Sequence, residues 1–171
     1  MDRIAFLLRL ALTTLLVAAP WPLLAATPAT QATGRADLLH PLTLQKVEDM
    51  DFATIIVSGA GTAVIDPSTN TMATTGGALL AAGTPHAARF RGAASSNAVV
   101  IIKLPKQPVT MTRVGGTQTI SLSKFTLDGP SKRTMAQIPT FEFRVGGTIT
   151  LAAGQAQGTY VGTFDVTAQY P

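Results

Sequence analysis

Side chains able to do chemistry are few in this sequence and poorly placed for it. The only acidic cluster is Glu48-Asp49-Met50-Asp51, whose carboxylates offer the oxygen ligands that Ca²⁺ takes. A calcium loop also needs a glycine-containing, ligand-rich turn, and in an extended chain Glu48 faces away from Asp49 and Asp51, so the cluster reads as a solvated strand end. The two histidines, His40 before Pro41 and His86 after Pro85, are too few for a metal or triad site and are expected at the surface. Gly59-Ala60-Gly61 lacks the third glycine and the following helix of a dinucleotide fingerprint. There is no phosphate loop, no paired-histidine zinc helix and no nucleophile elbow around any serine. Cysteine is absent, which excludes disulfides, thiolate catalysis, zinc–thiolate sites and iron–sulfur clusters. No cofactor or metal is expected, and the chain does not read as an enzyme.

The elements around these residues begin with an export signal. Met1-Asp2-Arg3 precedes an apolar stretch, residues 4–17, interrupted by Arg9; a helix-ending break, Ala18-Ala19-Pro20-Trp21-Pro22, leads to Leu23-Leu24-Ala25-Ala26. Charge, apolar core, break and small residues in that order predict a secretory signal over residues 1–26, cleaved between Ala26 and Thr27. The uninterrupted apolar run, residues 10–19, is too short to span a bilayer, so no membrane span is expected after cleavage. The whole chain of 171 residues has a formal charge of +4. Cleavage would remove Arg3, Arg9 and Asp2 and leave 11 basic against 8 acidic residues. Arg89, Arg91, Lys103, Lys106, Arg113, Lys124, Lys132, Arg133 and Arg144 are spread along the chain, without aromatic residues interleaved in the manner of a stacking platform, and read as solvent-facing strand positions. Nucleic acid is not an expected partner.

Hydrophobic residues make up 46% and charged residues only 13%, which argues against disorder. With 15 Gly and 11 Pro the chain suits many short turns better than a helix bundle. Residues 27–37 read as a flexible arm, and residues 38–171 as one domain. Leu42, Leu44, Met50, Phe52, Thr54 and Ile56 share one parity, while Ile55 and Val57 fill the other, so this segment is expected to end buried on both faces. Lys46 and Glu48 interrupt the series and predict two strands or a bulge there. Asp66-Pro67-Ser68-Thr69-Asn70 predicts a turn, and Gly76-Gly77 another. Residues 99–102 are apolar on both parities, as a central strand would be. Residues 109–122 around Gly115-Gly116 predict a hairpin with a primed turn. The run Arg113-Val114-Gly115-Gly116-Thr117 recurs as Arg144-Val145-Gly146-Gly147-Thr148, an echo read as hairpin chemistry rather than duplication. Outside the signal no window carries helical periodicity, and strands recur every eight to twelve residues with turn chemistry between them. The expected fold is an all-β, antiparallel, immunoglobulin-like sandwich.

The final strand is expected over residues 159–170. Tyr160, Phe164, Val166, Ala168 and Tyr170 share one parity and should face the core, with Thr163, Asp165, Thr167 and Gln169 in water. The export signal, Asp49-Met50-Asp51-Phe52-Ala53, Val145-Gly146-Gly147-Thr148 and residues 158–164 (GTYVGTF) together resemble a bacterial secreted family, domain of unknown function 4402. That family is grouped with fimbrial adhesins and is similar to the common-pilus type of major subunit. Many members carry glycine after the pair that is Asp51-Phe52 here; this chain has Ala53.

The C-terminus is also similar to that of chaperone–usher pilins, with an alternating strand, a penultimate aromatic (Tyr170) and a glycine fourteenth from the end (Gly158). The likeness implies a sandwich missing one strand, filled first by a periplasmic chaperone and then, at the usher, by the next subunit's N-terminal arm, giving a self-polymer. It points to Gly158, Tyr160, Gly162, Phe164, Val166, Ala168 and Tyr170 as assembly residues. The best donor register in this chain is Ala36, Leu38, His40, Leu42 and Leu44, with Pro41 interrupting its ladder. The function expected is a non-enzymatic, fimbria-like subunit acting in adhesion, exported to the periplasm and cell surface of a Gram-negative bacterium. The alternative is a stand-alone secreted or surface-associated sandwich that does not polymerise.

Overall fold

A computed structural model describes residues 30–137 and 139–171. The expected signal and its cleavage point at Ala26 and Thr27 lie outside the described residues. Contacts divide the chain into two units, and the second, Asp37–Pro171, carries every strand among the described residues.

Among the described residues all regular structure is β. The strands are β1 (Thr43–Glu48), β2 (Thr54–Asp66), β3 (Thr71–Ala82), β4 (Ala88–Ala93), β5 (Val99–Lys103), β6 (Val109–Arg113), β7 (Thr119–Leu127), β8 (Lys132–Thr134), β9 (Thr140–Leu151), β10 (Tyr160–Val161) and β11 (Thr167–Gln169). The larger sheet runs β1-β4-β9-β7-β6-β10, with β2 added to β9 and β3 to β2; the smaller runs β11-β5-β8. Every pair is antiparallel. The two sheets form the expected all-β sandwich.

Strand β9 is the spine. Its first half pairs with β4, from Thr140 to Val145, and its second half with β2, from Gly147 to Leu151. On its other side β7 pairs from Val145 to Thr150. Phe141, Phe143, Val145, Ile149 and Leu151 share one parity and are buried, so β9 supplies both ends of the core. Phe143 stacks on Phe90 of β4 with ring centroids 5.3 Å apart. The opposite face is polar: Thr75, Thr62, Thr150, Ser121 and Thr110 lie in register across β3, β2, β9, β7 and β6.

The core has two apolar clusters. Ala63, Ile65, Ile120, Leu122, Ile149 and Leu151 belong to one, and Ala88, Phe90, Val100, Ile102, Phe143 and Val145 to the other. Met50, Phe125 and Phe164 pack against both.

Several local expectations hold. The register between β1 and β4 shifts between Lys46 and Glu48, with Val47 the extra residue, and the ladder ends at Glu48 opposite Arg89. The turn after Asp66 closes through Asn70 N–H to Asp66 O at 2.9 Å, with Ser68 N–H on the Asp66 carboxylate at 2.8 Å. Residues 109–122 form the β6–β7 hairpin. Its connection is a four-residue loop rather than a two-residue primed turn: Arg113 pairs with Gln118, and only Gly115 has positive φ, +73°.

Other expectations are corrected. Gly76-Gly77 is no turn: β3 continues through it, and the two extra residues of β2 between Val57 and Gly61 form a bulge opposite. Gly59, Gly61, Gly76 and Gly77 let the two backbones touch there; a Cβ on Gly77 would lie 2.3 Å from Gly59 N. The hairpin bends at this point, so Ile55, Val57 and Ala78 pack onto the cluster that Ile149 and Leu151 belong to. Gly146-Gly147 is likewise no turn but the middle of β9. The start of β2 is not buried on both faces, because Ile56 is 55% exposed. Phe52 faces inward, but Ala53 adopts φ +57°, with its N–H on the Asp51 carboxylate at 2.7 Å, so the inward parity passes to Ile55 and Val57.

The expected final strand is two short ones in different sheets, since β10 pairs with β6 and β11 with β5. The intervening residues cross from one layer to the other and find no single ladder partner. Arg133 is not simply solvent-facing. It reaches Asp128 at 2.7 Å, donates to Glu142 O at 3.0 Å and lies 5.6 Å from the centre of the Phe143 ring.

Candidate binding groove

Two segments of the domain run side by side without pairing. One comprises β1, the link through Asp51 and the start of β2; the other is the C-terminal segment from residue 156 onward. Among the described residues no backbone hydrogen bond joins them. The start of β2 uses only its β3 side, and β11 only its β5 side. The edges facing the gap therefore keep backbone donors and acceptors that no strand satisfies.

At one end the gap opens into a groove of about 640 Å³, walled by residues 51–57 and 155–160. Its floor is Met111, Ile120, Ile149 and Leu151, apolar side chains from β6, β7 and β9. The polar groups in the walls are engaged in holding those walls. Tyr160 OH donates to Ala156 O at 2.7 Å, and Gln155 Nε2 lies 2.7 Å from the same hydroxyl. Arg113 Nε donates to Gln157 O at 2.6 Å, and Val114 N–H to Thr159 O at 2.8 Å. Gly158, at φ +144°, lies against this guanidinium; a Cβ there would sit 2.6 Å from Arg113 Nε.

The middle of the gap is filled by Met50, Phe125 and Phe164, the two rings 5.0 Å apart. The far end is closed by Tyr170. Its hydroxyl donates to His40 O at 2.9 Å and accepts from Ser95 N–H at 2.8 Å, while His40 N–H reaches Ser95 Oγ at 2.6 Å.

The residues singled out from the sequence sort along this gap. Tyr160, Phe164, Val166, Ala168 and Tyr170 alternate inward, each half-buried, and Thr163, Asp165, Thr167 and Gln169 outward. Tyr160 packs on the first cluster, Val166, Ala168 and Tyr170 on the second, and Phe164 on both. Gly162 passes over β6, where a Cβ would meet Met111 Cγ and Thr110 O at 2.9 Å. Of the donor candidates, Leu42 and Leu44 pack on their own domain's core, with Leu44 inside the β1–β4 ladder. His40 is tied at the closed end, Ala36 is exposed, and Leu38 is 90% exposed. The floor residues and the wall at Gln155 and Gln157 carry no motif in the sequence. Inward alternation at Met111, Ile120, Ile149 and Leu151 was the available signal, but nothing local distinguishes a core left open from one that is covered.

As chemistry, this site offers backbone edges and apolar sockets. Among the described residues no three His, Asp or Glu side chains come together as a metal site would require. The acidic cluster is dispersed: Lys46 pairs with Asp49 at 2.6 Å, Arg89 with Glu48 at 3.4 Å, and Asp51 bonds Ala53. His86 pairs through its backbone with Asp51, its ring half-buried near Glu48. Among the described residues no helix is long and apolar enough to cross a membrane.

No curated protein and no solved structure was found to match the chain. The family model described as "Domain of unknown function (DUF4402)" matches residues 42–170, from the residue before β1 to the penultimate Tyr170. The chain therefore belongs to the DUF4402 family.

Proposed function

We propose that the protein is a non-enzymatic, fimbria-like structural subunit that assembles by β-strand addition and serves surface adhesion. One observation carries this reading: a sandwich whose apolar floor lies open between two unpaired backbone edges. A strand laid into that gap would gain ladder bonds on either side and bury alternate side chains, which is how strand addition obtains affinity and specificity. The likeness of the C-terminal segment to chaperone–usher pilins supports the same assignment, as does the export signal expected over residues 1–26. On this reading a periplasmic chaperone fills the groove first, and the arm of another subunit replaces it at the usher. Because Leu42 and Leu44 belong to their own core, the donor is the stretch before Pro41, where Leu38 and Leu39 are both exposed and Leu38 shares the parity of Ala36.

Deleting residues 30–41 tests the reading. Heat-sensitive, detergent-resistant ladders on gels should vanish while the domain stays folded, because the donor is lost and the acceptor groove kept. Ladders that survive the deletion would rule out N-terminal donation. A second reading, a stand-alone surface module, draws on the closed end: Tyr170, Met50, Phe125 and Phe164 already fill much of the gap. A full-length protein that is a stable, reversible monomer without a chaperone would decide for it.

A further inference from the structure

The sheet edges of this domain are defended unequally. Strand β1 carries Lys46 and a bulge; β8 is three residues long with Lys132 and Arg133; β10 is two residues long between Gly158 and Gly162; β11 is three residues long and followed closely by Pro171. Shortness, charge, proline and bulges are the devices that stop sheet edges from pairing with other chains. Strand β3 has the length with neither charge nor proline, and the one irregularity in its second half is Ala81, the extra residue where its register to β2 shifts between Thr54 and Ile55. Its twelve residues are TMATTGGALLAA, and β2 is its one partner among the described residues. Beyond the glycine bend, the half from Ala78 onward pairs with residues 54–57, which are also uncharged.

Exposed apolar surface collects on this same half. Leu79 is 61% exposed and pairs with Ile56 on the outer face. Leu80 pairs with Ile55 on the core side, yet stays 38% exposed because no strand lies beyond it. We propose that β3 is a self-association edge, pairing antiparallel with β3 of a second copy about a two-fold axis through Leu80.

A second copy is the occupant that the chemistry fits. Antiparallel pairing of one edge with itself satisfies the outward N–H and C=O groups of both copies at once. It sets Leu80 against its own equivalent, covering the side chain the isolated domain leaves open. Leu79 of each copy then lies on the outer face beside its paired Ile56, one on either side of the axis, so the two apolar patches adjoin. No charge is buried, although each chain is formally +4, because Asp66, the one charge on β2, stands at the opposite end of the hairpin. This contact is separate from the groove and extends the larger sheet sideways, independently of any donor strand.

Sedimentation of the full chain over a concentration series tests it. The wild type should show a monomer–dimer equilibrium, retained in Leu38→Ser, which spares β3. Leu79→Lys and Ala81→Lys place repelling charges on the two-fold edge and should each weaken the dimer at least tenfold with unchanged circular dichroism. Amide exchange over residues 78–82 of the wild type should slow as concentration rises, a readout that needs no variant and decides the matter if either lysine variant fails to fold. A wild type that stays monomeric, a dimer indifferent to both lysines, or exchange at β3 independent of concentration would overturn the proposal.

Discussion

The same five residues, Arg-Val-Gly-Gly-Thr, do opposite things at two places in this domain. At 113–117 they leave a strand: Val114 is 63% exposed, and Gly115 has open space around the position of a Cβ. At 144–148 they continue one: Val145 is fully buried, and the glycines sit mid-strand in β9. Gly115 is needed for its left-handed φ of +73°. Gly146 is needed for close approach, at the joint where β4 ends its pairing with β9 and β2 begins. A Cβ there would lie 2.2 Å from Ile65 O and 2.6 Å from Pro67 Cδ. The arginines diverge as well. Arg113 holds the groove wall through Gln157, whereas Arg144 offers its backbone N–H to the Asp128 carboxylate at 2.9 Å. A glycine pair in a β-rich sequence therefore has two uses, and neighbours distant in sequence select between them.

Substitutions separate the two copies, most sharply at the glycines. Gly146→Ala should cost at least about 3 kcal/mol in urea unfolding, or prevent folding, because a backbone carbonyl and a buried proline cannot both withdraw. The next effect is expected at the support of the second copy. Asp128→Ala removes the bond to Arg144 N–H and leaves the largely buried Arg133 guanidinium with backbone acceptors but no carboxylate partner, at a cost of about 2 kcal/mol. Gly115→Ala in the first copy should cost only about 1 kcal/mol, the price of a left-handed alanine in open space. Equal losses at Gly115 and Gly146 would break the comparison.

The smallest effect concerns pH, next to the second copy. Hydrogen bonds from Arg91 and Arg89 hold the Glu142 carboxyl below its ordinary range. Its folded value is thus depressed, so the stabilisation is present above the unfolded glutamate range and is lost as pH falls through the folded value. Glu142→Gln should flatten the acid limb of the stability curve slightly, lowering stability a little at neutral pH and leaving it nearly unchanged below the folded value, as read by thermal melts from acidic to neutral pH. A variant with the wild-type acid limb would show that these arginine contacts do not persist in solution.

Much of the architecture was legible because alternation is a local property. The inward series from Tyr160 to Tyr170 reads off the sequence, and so do the β6–β7 hairpin and the turn at Asp66. What failed was local chemistry with two structural meanings. Gly76-Gly77 resembles a turn but opens a bend, because Gly59 and Gly61 meet it from the facing strand. Ala53 gives no sign of its left-handed backbone, and that one dihedral moved the inward positions from Thr54 and Ile56 to Ile55 and Val57. Arg133 looks like any surface cation until Asp128 and Phe143 are brought beside it.

The sequence by itself determined that this is an all-β chain, because side-chain parity and turn residues act over two to five positions and need no distant partner. It also determined which C-terminal side chains point inward. Only the tertiary structure decided where the strands stop pairing. Whether Ile149 and Leu151 end beneath another strand or on the floor of a groove depends on how two segments about a hundred residues apart are held, and no local propensity encodes a neighbour that is missing.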